Sequence, residues 1–167
     1  ELNLPKQGVI WDIGSGVGSI GLEALRISPN LKLVSIDKRI GSKNIIKENA
    51  KRIGVRPSLI IEDEILNIFK ENKITPSLLH PDRVIIGGGG SNSHLIIEEV
   101  LKLIKSYCIL VIPLISLKSI SKLESILKPK VHKLSISQHQ SYRGVNIGED
   151  IRLSPLNPVF ILKGEVQ

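Results

Sequence analysis

The sequence contains no methionine, one cysteine (Cys108) and only 3% aromatic residues. A lone thiol cannot close an internal disulfide, which excludes a stapled extracellular scaffold and leads us to expect a cytoplasmic protein. So few aromatics make poor material for stacking on nucleic-acid bases. Long hydrophobic runs are missing too. The stretch from Cys108 to Ile115 is broken by Pro113, well short of the roughly 20 apolar residues of a membrane-spanning helix. His80, His94, His132 and His139 have no cysteine or carboxylate at metal-ligand spacing, so no metal is expected. With no methionine to start it, the chain is expected to lack a natural segment upstream of Glu1.

What remains is an ordinary globular composition. The chain has 167 residues, 41% hydrophobic and 23% charged, enough to bury a core and fitting a single domain over residues 1–167. Lys+Arg 23 against Asp+Glu 16 gives a formal charge of +7, which favours an anionic partner without choosing between a nucleic acid and a small polycarboxylate.

Short β-branched runs alternate with amphipathic segments. Strands are predicted over 8–13, 32–36, 58–61, 83–86 and 109–112, and helices over 18–27, 41–53, 64–72, 93–104 and 117–127. Ile45, Ile46, Asn49, Ala50 and Ile53 recur at helical spacing, with Gly54 where a helix stop belongs. The strand runs are apolar on both faces, as in a parallel sheet covered by helices on both sides. After Leu127 two further strands, 131–137 and 158–162, follow without a helix between them, which favours antiparallel pairing. The link 138–157 carries Gly144, Gly148 and Pro155 and reads as a long loop. The outline is an α/β, Rossmann-like fold: five parallel strands, doubly wound, plus an antiparallel pair at one edge.

The most informative stretch is Trp11-Asp12-Ile13-Gly14-Ser15-Gly16-Val17-Gly18-Ser19-Ile20-Gly21, directly after the first strand. Glycines at a strand-to-helix turn let the backbone approach a ligand, and the helix start offers unpaired amides. Residues 16–21 match the dinucleotide pattern Gly-x-Gly-x-x-Gly, but the strand abuts Gly14, which leaves Gly14 and Ser15 unexplained. A carboxylate at Asp12 would repel a pyrophosphate, whereas it suits a cationic ligand. S-adenosylmethionine carries an ammonium and a sulfonium and has no phosphate. The turn thus resembles motif I of the class I S-adenosylmethionine-dependent methyltransferases, Asp/Glu-x-Gly-x-Gly-x-Gly. Asp37, closing the second strand, is placed to accept hydrogen bonds from ribose hydroxyls in either cofactor class. Asp63 follows the third strand, where these methyltransferases often set an acid near the adenine amino group. The plainer reading of Asp63 is a helix cap.

Three stretches point further. Residues 11–19, Pro81-Asp82-Arg83-Val84-Ile85-Ile86-Gly87-Gly88-Gly89-Gly90 and Leu156-Asn157-Pro158-Val159-Phe160-Ile161 together resemble the decarboxylating precorrin methyltransferases of cobalamin biosynthesis. The resemblance spans nearly the whole chain. It implies S-adenosylmethionine as donor, methylation at carbon 15 of a corrinoid precursor, and loss of carbon dioxide from the ring-C acetate at carbon 12. It also implies a homo-oligomer, a tetramer in related stand-alone enzymes, and allows fusion to an upstream carbon-5 methylase. By position, the cofactor residues would be Asp12, Gly14, Ser15, Gly16, Gly18, Asp37, Lys38, Asp63, Gly87 and Gly88. Gly89 and Gly90 would leave room for a planar ring, and Tyr142 and Arg143 would stack on and pair with a polycarboxylate macrocycle. The family's Asn on the fifth strand is replaced here by Pro113.

Methyl transfer from a sulfonium requires alignment and exclusion of water rather than a nucleophilic side chain, so no catalytic residue is assigned. The first rival is an RNA or DNA methyltransferase, invited by the positive charge. Base N-methylases carry Asn/Asp-Pro-Pro-Tyr/Phe after the fourth strand, where this chain has Ile86-Gly87-Gly88-Gly89-Gly90. A nicotinamide-dependent dehydrogenase and a catalytically silent binding module are the others. Lys43, Lys47 and Lys51 form a basic stripe whose plain reading is a solvated helix face, and Cys108 and Trp11 read as packing.

Overall fold

The computed structural model describes residues 1–87 and 90–166, with Ser91 by its backbone alone. In the first strand, β1 (Gly8–Ile13), Val9, Trp11 and Ile13 turn to one face of the sheet and Ile10 to the other, all buried. That alternation of two apolar faces repeats along the chain and demands cover on both sides. The elements that follow are α1 (Ser19–Ile27), β2 (Leu31–Asp37), α2 (Ser42–Ile53), β3 (Leu59–Glu62), α3 (Ile65–Lys70), β4 (Arg83–Ile86), α4 (Ser93–Leu103), β5 (Ile109–Leu114) and α5 (Leu117–Leu127). Helices α1 and α2 close one face over Ile10, Leu33 and Ile85, using Leu22, Leu25, Ile46 and Ala50. Helices α3, α4 and α5 close the other over Trp11, Val34, Val84 and Leu110, using Ile68, Ile97, Val100 and Leu123. Ile45 and Ile53, expected on the buried side of α2, are instead partly exposed, because this helix covers the edge of the sheet with a narrow stripe.

Four strands then complete the chain: β6 (Lys133–His139), β7 (Tyr142–Ile147), β8 (Asp150–Pro155) and β9 (Val159–Glu165). The main sheet runs β3-β2-β1-β4-β5-β9-β6. Its first five strands are parallel, and β9 pairs antiparallel with both β5 and β6. The expected architecture is therefore present. Two particulars differ. Strand β5 continues through Pro113 to Leu114, since its ladder with β4 ends at Val111 while that with β9 runs on, and proline is tolerated where one ladder has stopped. The link 138–157 is not a loop but a second, two-stranded sheet. Strands β7 and β8 pair from Tyr142–Pro155 to Ile147–Asp150, turning at Gly148 in the left-handed region (φ +62°).

Sequence signatures separate along β4. Asp82 and Arg83 stand at its start, where Asp82 Oδ2 accepts from the Val9 amide at 2.7 Å and Arg83 donates to the carbonyls of Leu2 (2.7 Å) and Asn3 (2.8 Å). They tie the N-terminal segment to the edge of the sheet opposite the glycines that close the same strand.

Candidate active site

Strand order reverses at β1, whose neighbours are β2 on one side and β4 on the other. Such a switch point opens a crevice beyond the carboxyl ends of the strands. Gly14 enters it with φ +71°, and a Cβ there would lie 1.7 Å from the Gly87 carbonyl oxygen. Only glycine fits. The Gly14 and Ser15 amides donate to the Ile36 carbonyl at 2.8 and 3.0 Å, and the Gly87 amide donates to Ile13 at 2.7 Å. These bonds lay the turn across the ends of β1, β2 and β4. Gly18, also left-handed (φ +84°), is the N-cap of α1.

Asp12 lies on the α1–α2 side of β1 and is buried, its Oδ2 accepting from the Gly21 amide in the first turn of α1 at 3.0 Å. Burial pushes its carboxyl up to about 6, opposed by the Gly21 amide and assisted by the Asp37 charge. Asp37 closes β2. Its Oδ2 accepts from the Gly16 amide at 2.7 Å and from Arg39 Nη2 at 3.2 Å, and its Oδ1 from the Arg39 amide (2.9 Å) and Nε (3.0 Å). Burial pushes the Asp37 carboxyl up, but the Arg39 and Gly16 hydrogen bonds prevail and hold it below the usual range. Asp63 is bound by Lys73 and accepts from the Glu64 amide at 2.7 Å, which likewise keeps it ionised below the ordinary value. The N-cap position of α3 is Glu64 rather than Asp63, yet the Asp63 carboxylate still binds the entrance of that helix through the Glu64 amide and Asn67 Nδ2, so a structural role for it stands beside the cofactor one. Lys38 pairs with Glu64 at 3.2 Å.

A cavity of about 340 Å³ lies at the carboxyl edge, lined by Gly14 and Gly87, by Asp37, Lys38, Arg39, Asp63 and Glu64, and by an apolar wall that includes Ile36, Ile86 and Ile96. Its size falls in the roughly 300–1,000 Å³ range of small-molecule sites. An apolar slot flanked by ionised carboxylates suits a flat ring carrying hydroxyls and amines.

Of the expected residues, Gly14, Asp37, Lys38, Asp63 and Gly87 line this cavity. Gly16 reaches it through its bond to Asp37, Ser15 Oγ donates to the Ile36 carbonyl (3.3 Å), and Asp12 and Gly18 support the turn from the α1 side. Gly88 and Gly89 lie outside the described residues. Gly90 opens the short turn into α4 with open space around it. Tyr142 and Arg143 are brought to the exposed β7–β8 sheet, not to the cavity lining. Lys43, Lys47 and Lys51 stand exposed on α2. Cys108 is buried beside β5, and burial pushes its thiol up to about 12, which leaves no nucleophile there. Sequence reading missed Arg39 and the isoleucine wall. Arg39 had a local signal, lying two residues beyond Asp37. The wall had none, because its members come from β1, β2, β4, α3 and α4.

A doubly wound sheet closed by antiparallel β9, with a glycine turn at the switch point, Asp37 closing β2 and Asp63 just past β3, is the fold shared with class I methyltransferases. A solved structure of precorrin-6Y C5,15-methyltransferase from Geobacter metallireducens superposes with a TM-score of 0.85, covering 99% of this chain and 83% of that one at 24% identity. A tRNA methyltransferase from Aquifex aeolicus gives 0.74, covering 99% and 65% at 14% identity, so these two likenesses establish the fold alone. The sequence goes further. The precorrin methyltransferase domain model matches residues 1–164, and the chain belongs to that family. A relative from Pyrobaculum aerophilum named "Probable cobalt-precorrin-6B C(15)-methyltransferase (decarboxylating)" is 33% identical, covering 97% of this chain and 81% of its own length.

Proposed function

We propose that the chain is a C-methyltransferase of corrinoid biosynthesis that methylates carbon 15 of a precorrin and releases the ring-C acetate at carbon 12 as carbon dioxide. The observation that carries this is the switch-point cavity, with Asp37 and Asp63 at its rim, in a chain matched to the precorrin family along residues 1–164. S-adenosylmethionine, when bound, supplies the methyl group. The residues present fit it: Gly14 and Gly87 line the cavity with backbone alone, the isoleucine wall would accept a flat base, and Asp63, in the same lining, would accept from its amine. Asp37 is the acceptor for the ribose hydroxyls, whose two bonds would replace those now made by the Arg39 guanidinium. A tetrapyrrole is far too large for a cavity of about 340 Å³ and sits over its mouth, beside Gly87 and Gly90. There the protein's task is to align acceptor carbon and donor and to exclude water.

The substrate is a small polyanionic macrocycle rather than a nucleic acid. The base-flipping signature is missing after β4, and Cys108 is buried and protonated. No described helix is long and apolar enough to cross a membrane, and a lone buried thiol accords with the cytoplasm. A homo-oligomer is supported by the β7–β8 sheet, whose Tyr142, Ile151 and Leu153 are exposed on one face. A two-stranded sheet is marginal in water without cover.

Calorimetric titration with S-adenosylhomocysteine, NAD and NADP comes first. S-adenosylhomocysteine alone should bind; binding of a nicotinamide nucleotide alone would overturn the reading. Turnover is then measured with metal-free and cobalt-containing precorrin-6B, following methyl incorporation and carbon dioxide release. RNA as the better methyl acceptor would put the rival first.

A further inference from the structure

Ser35 lies in β2 with none of its surface exposed, and among the described residues its Oγ is the buried side-chain polar atom left without a hydrogen-bond partner. Such orphans are rare, because the hydroxyl gives up water and receives nothing in return. Its neighbour on the sheet is Asp12, directly opposite in the β1–β2 register, and residues so paired project to the same face. On their outer sides both meet apolar residues, Ile60 beside Ser35 and Ile85 beside Asp12. Two polar side chains are thus adjacent in an otherwise apolar layer. Among the described residues Asp12 accepts one side-chain bond, from the Gly21 amide to Oδ2, while a carboxylate has room for several.

We propose that Ser35 is a positioning residue of the glycine turn: its hydroxyl donates to Oδ1 of Asp12 through one interior water, and keeps that carboxylate ionised while Oδ2 holds the Gly21 amide. An ionised acceptor binds an amide more strongly than a neutral one and also complements the positive end of α1. Ser35 therefore sets the pH at which the support under residues 14–18 is lost. With the Gly21 bond alone, burial takes Asp12 to about 6. Other charged groups around it are turned elsewhere. Glu23 and Arg26 on α1 pair with each other, Lys32 on β2 and Lys43, Lys47 and Lys51 on α2 are exposed, Arg39 is held by Asp37, and Arg83 bonds the N-terminal segment at the far end of β4. Asp37 is the charge that acts on Asp12, raising it.

The effect on ligand binding rests on the cofactor site proposed above; the effect on Asp12 does not. Titration of S-adenosylhomocysteine binding between pH 5 and 8 should show an acid limb that Ser35→Ala moves upward by about half to one pH unit, the worth of one hydrogen bond from a neutral hydroxyl. Binding then weakens roughly twofold to threefold near pH 5.5 and is unchanged at pH 8. Ser35→Cys, close in shape but a weak donor, should fall between. Asp12→Asn should flatten the profile, with Ser35→Ala adding nothing to it. A Ser35→Ala loss equal at every pH is what packing alone would produce, and it would overturn the proposal. The Asp12 carboxyl carbon, followed by NMR without ligand, decides independently: its midpoint must rise in Ser35→Ala. An unchanged midpoint sinks the role of Ser35 whether or not ligand binds, whereas a raised midpoint in a protein that binds no S-adenosylhomocysteine sinks only the cofactor reading.

Discussion

Gly14 and Gly87 meet backbone to backbone, and the 1.7 Å between a would-be Gly14 Cβ and the Gly87 oxygen leaves no adjustment by side-chain movement. Gly14→Ala must push β1 from β4 in a left-handed conformation, and a loss of roughly 3 kcal/mol or more is expected in urea unfolding, with S-adenosylhomocysteine binding abolished. Asp37→Ala removes the acceptor for the Gly16 amide and, on the proposed reading, for the ribose, and should weaken binding by about tenfold or more, while unchanged affinity would remove Asp37 from the site. The acids also carry opposite pH signatures. Asp37 and Asp63 are held below their ordinary values, so their contribution to stability is complete above the unfolded value and vanishes as pH falls through the lower folded one. Asp12 is held above its own, from 3.8 to about 6, so it costs stability that grows as pH rises through that window. Asp12→Asn should stabilise the protein at pH 7.5 by as much as about 3 kcal/mol, with most of the gain gone at pH 4.

At the scale of elements, the β7–β8 sheet and the start of β4 each revise what the sequence suggested. In β7–β8, Gly144, Gly148 and Pro155 read as loop breakers. The pairing shows Gly148 alone at the turn, with the other two inside paired strands. Leu153 is 71% exposed on the apolar face of this sheet, so Leu153→Glu changes nothing inside one copy. It should turn an oligomer into a monomer in light scattering while leaving S-adenosylhomocysteine affinity intact; a wild-type monomer would remove the oligomeric arm. At β4, the Asp82-Arg83 pair that marks the family resemblance acts at the edge away from the cavity. Arg83→Ala should cost roughly 1–2 kcal/mol of stability by freeing the N-terminal segment, without altering ligand affinity.

For the whole molecule, charge and topology answer different questions. The formal charge of +7 suits an anionic substrate, yet the Lys43, Lys47 and Lys51 stripe stands on the outer face of α2 and contributes nothing to the cavity lining. Topology makes the site. Because β4 returns beside β1 rather than beyond β3, the glycines that close these two strands become neighbours across the crevice, and acids from β2 and the turn after β3 reach its rim.

The glycine turn, Asp37, Asp63 and the alternation of strands and helices were legible in the sequence, since spacing, composition and a strand's two faces are local properties. The particular neighbours were not. The isoleucine wall gathers residues from five elements, Arg39 closes on Asp37 through its rotamer, and Tyr142 and Arg143 depart from the cavity because their link folds into a sheet of its own. Periodicity records which side of an element is buried. What it is buried against depends on strand order and on the long-range pairing that brings distant segments together, and that is decided only when the chain packs.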